Sequence, residues 1–200
     1  MFIAGLTGGA GCGKSTFREF FCRDSDADSL DCDQVVRELL ATDATVKAAI
    51  LAQVSPLAYD PAGGPNRSVL RELIFQDSAK RRQLEAILHP RVRERWQQAV
   101  TECRQQQRSL VIEIPLLFEK NLEAEFDCSI LVAASPGTQL QRLAKRGLEV
   151  SLARQLLDTQ LTNDEKISRA TQVIWNDGTP DFLQAQSQRL ASHLNSLYGN

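Results

Sequence analysis

The chain has 200 residues, 42% of them hydrophobic, with 23 Lys and Arg against 25 Asp and Glu for a net charge of −2. That is enough to bury a core without metal or disulfide staples, and the charge gives no support to general nucleic-acid binding or to attachment on an anionic membrane. Five cysteines without a CxxC or CxxxC pair argue against a zinc knuckle or a redox dithiol and for a reduced compartment. No basic N-terminal segment precedes a longer apolar run, and no stretch nears the ~20 apolar residues of a membrane helix, so a cytoplasmic location is expected.

In chain order, residues 2–6 read as a buried strand and 15–23 as a helix carrying Phe17, Phe20 and Phe21 on its apolar side. Residues 29–31 are a short strand, and 34–52 read as one helix through Val35, Leu39, Val46 and Ile50. PLAYDPAGGPN, residues 56–66, is loop by its Pro and Gly content. Helices follow over 68–75 and 79–88, with Leu70, Leu73, Ile74, Leu84, Ile87 and Leu88 as apolar positions, and Pro90 opens another to about 106. SLVIEI (109–114) and CSILVA (128–133) are continuous apolar runs, the mark of parallel strands covered on both faces. Residues 136–170 are polar and helical, 172–175 form a last strand, and a terminal helix starts at Pro180. Strands alternating with helices predict an α/β fold with a parallel sheet.

Between the first strand and the first helix stands GLTGGAGCGKST, and Gly8-x4-Gly13-Lys14-Ser15 matches the phosphate-binding P-loop. Such a loop turns backbone N–H groups inward at a helix N-terminus and so cradles anions. Lys14 is expected to pair with the β- and γ-phosphates of a nucleoside triphosphate and the Ser15 hydroxyl to ligate Mg²⁺. Cys12 lies inside the loop, where N–H dipoles are expected to lower its thiol pKa and make it reactive.

In LDCD (30–33), Asp31 and Asp33 end the second strand, and an extended backbone would face both the same way. A carboxylate beyond the carboxyl end of a strand is placed to meet the γ-phosphate and take a proton from an acceptor hydroxyl; the alternative is that both aspartates cap the next helix. DSDADS (24–29) opens like a Ca²⁺-binding loop but has Ser29 and Val35 where Gly and Glu are needed, so it reads as solvated loop. In QRLAKRG, Arg142 and Arg146 lie four apart on one helix face. They suit either closure over a transferring phosphoryl group or an ordinary solvated basic face.

GLTGGAGCGKST, LDCD, R-x-x-L-R-x-x-I-F over 67–75, LHP (88–90), PLLFE (115–119), the arginine pair and VIWNDG (173–178) occur in this order. The set resembles the dephospho-coenzyme A kinase family, from the phosphate loop to residue 178. The resemblance implies a P-loop kinase fold, a parallel sheet flanked by helices with a helical substrate-binding insertion and a lid. As one domain over 1–200, its core would be about 1–55, 107–135 and 171–200, its acceptor-binding insertion about 56–106 and its lid about 136–170. It implies transfer of the ATP γ-phosphate to the ribose 3′-hydroxyl of dephospho-coenzyme A, the last step of coenzyme A synthesis, with Mg²⁺. By motif, Gly11, Cys12, Gly13, Lys14, Ser15, Thr16, Asn176 and Gly178 would bind ATP. Asp33 would be the base, with Lys14, Arg142 and Arg146 catalytic. Thr7, Asp33, Arg67, Arg71, His89, Pro115, Leu116 and Leu117 would serve the acceptor, with Glu119 ending the stretch that lines its cleft. Partners would be ATP and dephospho-coenzyme A, with no nucleic acid and no membrane, the chain acting as a monomer or weak homo-oligomer.

The chain departs from the family pattern at Ala10, Cys12 and Cys32, and at Thr171-Gln172, where Ala-Asp is usual. Arg67, Arg71 and His89 have plain readings too, as a solvated helix face and a helix-entry residue. Three other functions stay in view. Another small-molecule P-loop kinase would lack LHP and PLLFE, a GTP switch would need an Asn-Lys-x-Asp that is absent, and a regulator without catalysis would not need Lys14, Ser15, Asp33, Arg142 and Arg146 together.

Overall fold

The computed structural model describes residues 1–199, with the backbone alone at Ile74 and Phe75. Asn200 and the packing expected of the Ile74 and Phe75 side chains lie outside the described residues. Two compact units are present: residues 1–31 with 100–200, and residues 32–99.

The first unit is built on a five-stranded sheet of β1 (Ile3–Gly8), β2 (Asp28–Asp31), β3 (Leu110–Glu113), β4 (Cys128–Ala133) and β5 (Gln172–Trp175). Their order across the sheet is β2-β3-β1-β4-β5. Every pairing is parallel, with Leu6 beside Glu113 and Ile130, and Asp31 beside Glu113. β1, β3 and β4 are buried along their whole length, which is why they read as unbroken apolar runs. Helices α1 (Lys14–Ser25) and α9 (Pro180–Tyr198) close one core, where Phe2, Phe17, Phe21, Leu190 and Leu194 are buried together. Three further helices, α6 (Pro136–Lys145), α7 (Val150–Asp158) and α8 (Asn163–Arg169), lie between β4 and β5 in the chain. At the foot of β5, Thr171 and Ser129 are locked reciprocally: the Thr171 hydroxyl accepts the Ser129 N–H at 2.7 Å and donates to its carbonyl at 2.8 Å. Asp24, in the acidic run 24–29, accepts the Ser187 hydroxyl at 2.7 Å, so that end of the run is tied to the protein.

The second unit is helical. The single helix expected over 34–52 is two, α2 (Cys32–Thr42) and α3 (Ala44–Gln53). Asp43 breaks it because its carboxylate accepts the N–H groups of Thr45 and Val46, satisfying a new helix start. The loop 56–66 is built on Asp60, which accepts the Gly64 N–H at 2.9 Å, and on Tyr59, whose hydroxyl donates to the Leu40 carbonyl at 2.9 Å. Asn66 caps α4 (Arg67–Gln76). The two helices expected around Pro90 are one, α5 (Ser78–Gln105), which runs on past the unit's end. An internal proline forfeits one helix hydrogen bond and crowds the turn before it, at about 3 kcal/mol. Buried anchors on both sides, Leu84 and Leu88 before it and Trp96 after, oppose that cost.

Candidate active site

Between β1 and α1 the chain turns at Gly11 (φ 77°) and Gly13 (φ 88°), both in the left-handed region. A Cβ at Gly13 would stand 2.5 Å from Asn176 Nδ2 and one at Gly11 2.8 Å from the Gln139 carbonyl, so the loop has no room for side chains at these points. Lys14 opens α1 and donates from Nζ to the carbonyls of Gly8 (2.9 Å) and Gly9 (3.3 Å). Ser15 and Thr16 follow it, exposed.

Cys12 corrects an expectation. It is fully buried in the core with Phe17 and Ile174. Burial pushes its thiol above the ordinary value and outweighs the opposing influence of Lys14 and of the Gly9 and Ala134 backbone. With the side chain in the core, what Cys12 offers its neighbours is its carbonyl. That carbonyl accepts Asn176 Nδ2 at 2.7 Å and Arg142 Nη1 at 3.3 Å. Asn176 is itself buried and held by its N–H to the Ala133 carbonyl at 2.7 Å. Beside it, burial works against the Asp177 carboxylate, yet hydrogen bonds from Ser135, Thr138 and Trp175 prevail and hold it below the usual range.

Arg142 lies within α6, whereas Arg146 stands at its end. α6 ends at Lys145, Arg146 caps it, and Gly147 turns left-handed at φ 81°. Arg146 is exposed. At the carboxyl ends of β2 and β3, Arg18 Nη1 lies 3.2 Å from Asp31 and 3.4 Å from Glu113. Asp31 and Asp33 do not face alike from one strand, because β2 stops at Asp31 and α2 already begins at Cys32. Asp33 sits exposed in the first turn of α2, where a carboxylate suits the helix dipole. In the second unit Arg67 and Arg71 are exposed on α4, one turn apart, and His89 is exposed on α5.

In 115–119, Pro115 and Leu116 are half-buried, while Leu117 and Phe118 are in the core. Thr7 is wholly buried and its hydroxyl donates to the Pro115 carbonyl at 3.3 Å. Glu119 Oε1 meets Lys166 Nζ at 3.1 Å and accepts the Leu161 N–H at 3.1 Å. A cavity of about 710 Å³ opens beside the loop, lined by Gly9, Gln139, Arg154, Gln160, Asn163 and Trp175 among others.

The pattern that describes dephospho-CoA kinase matches residues 2–181 of the chain. The chain belongs to the dephospho-CoA kinase family. A dephospho-CoA kinase of Thermosynechococcus vestitus is 37% identical over 191 residues, covering 95% of this chain and 93% of that one. A solved structure from Thermus thermophilus is 31% identical with a TM-score of 0.79, covering 98% of both chains. A dephospho-CoA kinase from Campylobacter jejuni has a TM-score of 0.73 at 22% identity over 97% of both chains, a likeness of fold. The protein is thus a kinase, a phosphotransferase on a P-loop kinase fold, with a five-stranded parallel sheet between helices.

Within this dephospho-CoA kinase family member, sequence reading missed the groups that hold the loop from outside. Gln139, 5% exposed, donates from Nε2 to the Ala10 carbonyl at 2.8 Å, and Gln160 Oε1 accepts the Ala10 N–H at 3.2 Å. Lys166, 1% exposed, looked like one more charge of a polar segment. The Thr162–Glu165 capping box was the one local signal there, since S/T-x-x-E marks a helix start.

Proposed function

We propose that the protein transfers the γ-phosphate of ATP to the ribose 3′-hydroxyl of dephospho-coenzyme A, giving coenzyme A and ADP. What carries this reading is the family match over residues 2–181, joined to a loop with Lys14 bound at its mouth. In this reading the backbone N–H groups over 11–16 hold the triphosphate, Lys14 leaves the Gly8 and Gly9 carbonyls to pair with phosphate oxygens, and Asn176 and Gly178 border the adenine. The Ser15 hydroxyl is exposed at the head of α1 and makes no hydrogen bond among the described residues, and a hard oxygen donor there fits Mg²⁺. When bound with ATP, that ion would neutralise charge on the β- and γ-phosphate oxygens.

The attacking 3′-oxygen forms a bond to the γ-phosphorus while the bond to the β,γ-bridging oxygen breaks and ADP leaves. Asp33 orients the hydroxyl and takes its proton. The transition state is loose, so placement matters more than deprotonation. Arg142 and Arg146 stabilise the equatorial oxygens, in a lid over 136–170. Arg67, Arg71 and His89 in the insertion over 56–106 serve the acceptor together with Thr7 and residues 115–117. For Thr7, Leu117 and Cys12, which are fully buried, the contribution is through backbone or packing. No helix among the described residues is long and apolar enough to cross a membrane, and the free cysteines accord with a cytoplasmic protein; in this reading it acts as a monomer or weak homo-oligomer. The test is ADP release with dephospho-coenzyme A against a panel of nucleosides and with phosphorus NMR of the product. A new phosphate on the 3′-oxygen is expected. ATP hydrolysis without that product would overturn the acceptor.

A further inference from the structure

The phosphate loop carries Gly8, Gly9, Gly11 and Gly13, so ordering its backbone costs more entropy than ordering a stretch of that length without glycine. A loop left loose would pay that entropy each time it bound a phosphate. Ala10 stands in the middle, and both of its peptide groups are taken up by glutamine side chains from outside the loop. Gln160 Oε1 accepts its N–H at 3.2 Å and Gln139 Nε2 donates to its carbonyl at 2.8 Å. The approach is close enough that a Cβ on Gly9 would stand 2.5 Å from Gln139 Nε2. Gln139 rides on α6, and Gln160 follows α7.

Gln160 is in turn fixed. The next residue, Leu161, donates its N–H to Glu119 Oε1 at 3.1 Å, and the same oxygen receives Lys166 Nζ at 3.1 Å from α8. A buried ion pair therefore anchors the backbone that presents the Gln160 carboxamide to Ala10. Gln160 also lines the 710 Å³ cavity beside Gly9, so its amide stands at the loop's edge rather than in the core.

We propose that Gln160 is a positioning residue for the phosphate loop, setting the Ala10 peptide so that the cradle is formed before ATP arrives. This rests on residues 8–15 being the ATP cradle. If releasing the carboxamide lets the loop sample other conformers, apparent affinity falls by the fraction still competent. The ceiling is the net worth of one hydrogen bond, which corresponds to roughly a two- to twelvefold loss. Loss of a merely architectural contact would instead lower the melting temperature without a selective effect on ATP.

The experiment compares Gln160→Met, which keeps the length and removes the acceptor, and Gln160→Asn, which keeps the amide but falls a methylene short of Ala10. Calorimetric titration with Mg-ATP needs no acceptor turnover, and steady-state kinetics follow. Both variants should bind ATP roughly two- to twelvefold more weakly and raise the KM for ATP by a like factor, with the KM for dephospho-coenzyme A and the melting temperature unchanged. Unchanged ATP affinity in both variants overturns the proposal. So does a loss that comes with a lowered melting temperature and equal rises in both KM values. Lys14→Ala is the control that separates the two readings: if it binds ATP like the parent, the cradle itself is misassigned, whereas its failure beside intact Gln160 variants refutes the role of Gln160 alone.

Discussion

Replacing Lys166 by Met tests how the segment after α6 is fastened. The Lys166 ammonium is 3.1 Å from Glu119 Oε1, with side-chain exposures of 1% and 13%. At an effective dielectric of about 20 the attraction at that distance is about 5 kcal/mol, most of it spent against desolvation. Removing the cation leaves the Glu119 carboxylate in a nearly dry site, still accepting the Leu161 N–H. Breaking one side of such a pair costs about 3–5 kcal/mol, and the residual exposure of Glu119 places this case near 3 kcal/mol. For a chain of this size a kilocalorie moves the melting temperature by about 2–4 °C, so Lys166→Met should melt about 6–12 °C lower by circular dichroism. Adding Glu119→Leu should restore most of the loss, because an apolar pair of similar volume replaces a buried ion pair at little cost. A drop of less than about 2 °C in the single variant, or a double variant weaker than the single one, would refute the reasoning.

Asp33→Asn keeps the side chain's size but cannot take the proton. Its kcat should fall about 10²–10⁴-fold with ATP affinity unchanged by calorimetry, and Asp31→Asn should disturb stability more than kcat because Asp31 faces Arg18 at 3.2 Å. Arg142→Ala and Arg146→Ala should each lower kcat more than ATP affinity, as interactions made mainly in the transition state do, and parental kcat in both would return the pair to a solvated role. The Cys12 thiol should resist iodoacetamide at pH 8 in the folded enzyme, and mass spectrometry finding it alkylated without unfolding would contradict its burial. Burial pushes the thiols of Cys22 up to about 11 and of Cys128 up to about 12 from 9.0. Between pH 9 and 11 the unfolded thiols ionise while the folded ones stay protonated, so stability falls as pH rises there. The melting-temperature difference between pH 8 and pH 10 should shrink in Cys128→Ala.

Much of the frame was legible because local chemistry spoke for it. Residues 109–114 and 128–133 are apolar without interruption, and strands covered on both faces leave no polar alternation to confuse the reading. The phosphate loop is readable for the same reason: Gly11 and Gly13 adopt dihedrals that few other residues tolerate, and the Lys14 that closes the loop is its immediate neighbour. Helix limits were less legible. Apolar spacing ran straight through Asp43, whose cap decides the break, and Pro90 suggested an end that buried residues on both sides override.

By itself the sequence determined the order of strands and helices, the loop and the family, each through short motifs whose residues are close together in the chain. The tertiary structure alone decided what surrounds the loop. Cys12 faces the core rather than solvent, and Arg146 falls beyond the end of its helix. Ala10 meets Gln160 across 150 positions, and Glu119 and Lys166 form one buried pair from segments that each read as polar. A buried polar group is stable wherever a partner reaches it, whatever the separation along the chain. No local propensity therefore announces such a pairing, and packing chooses it.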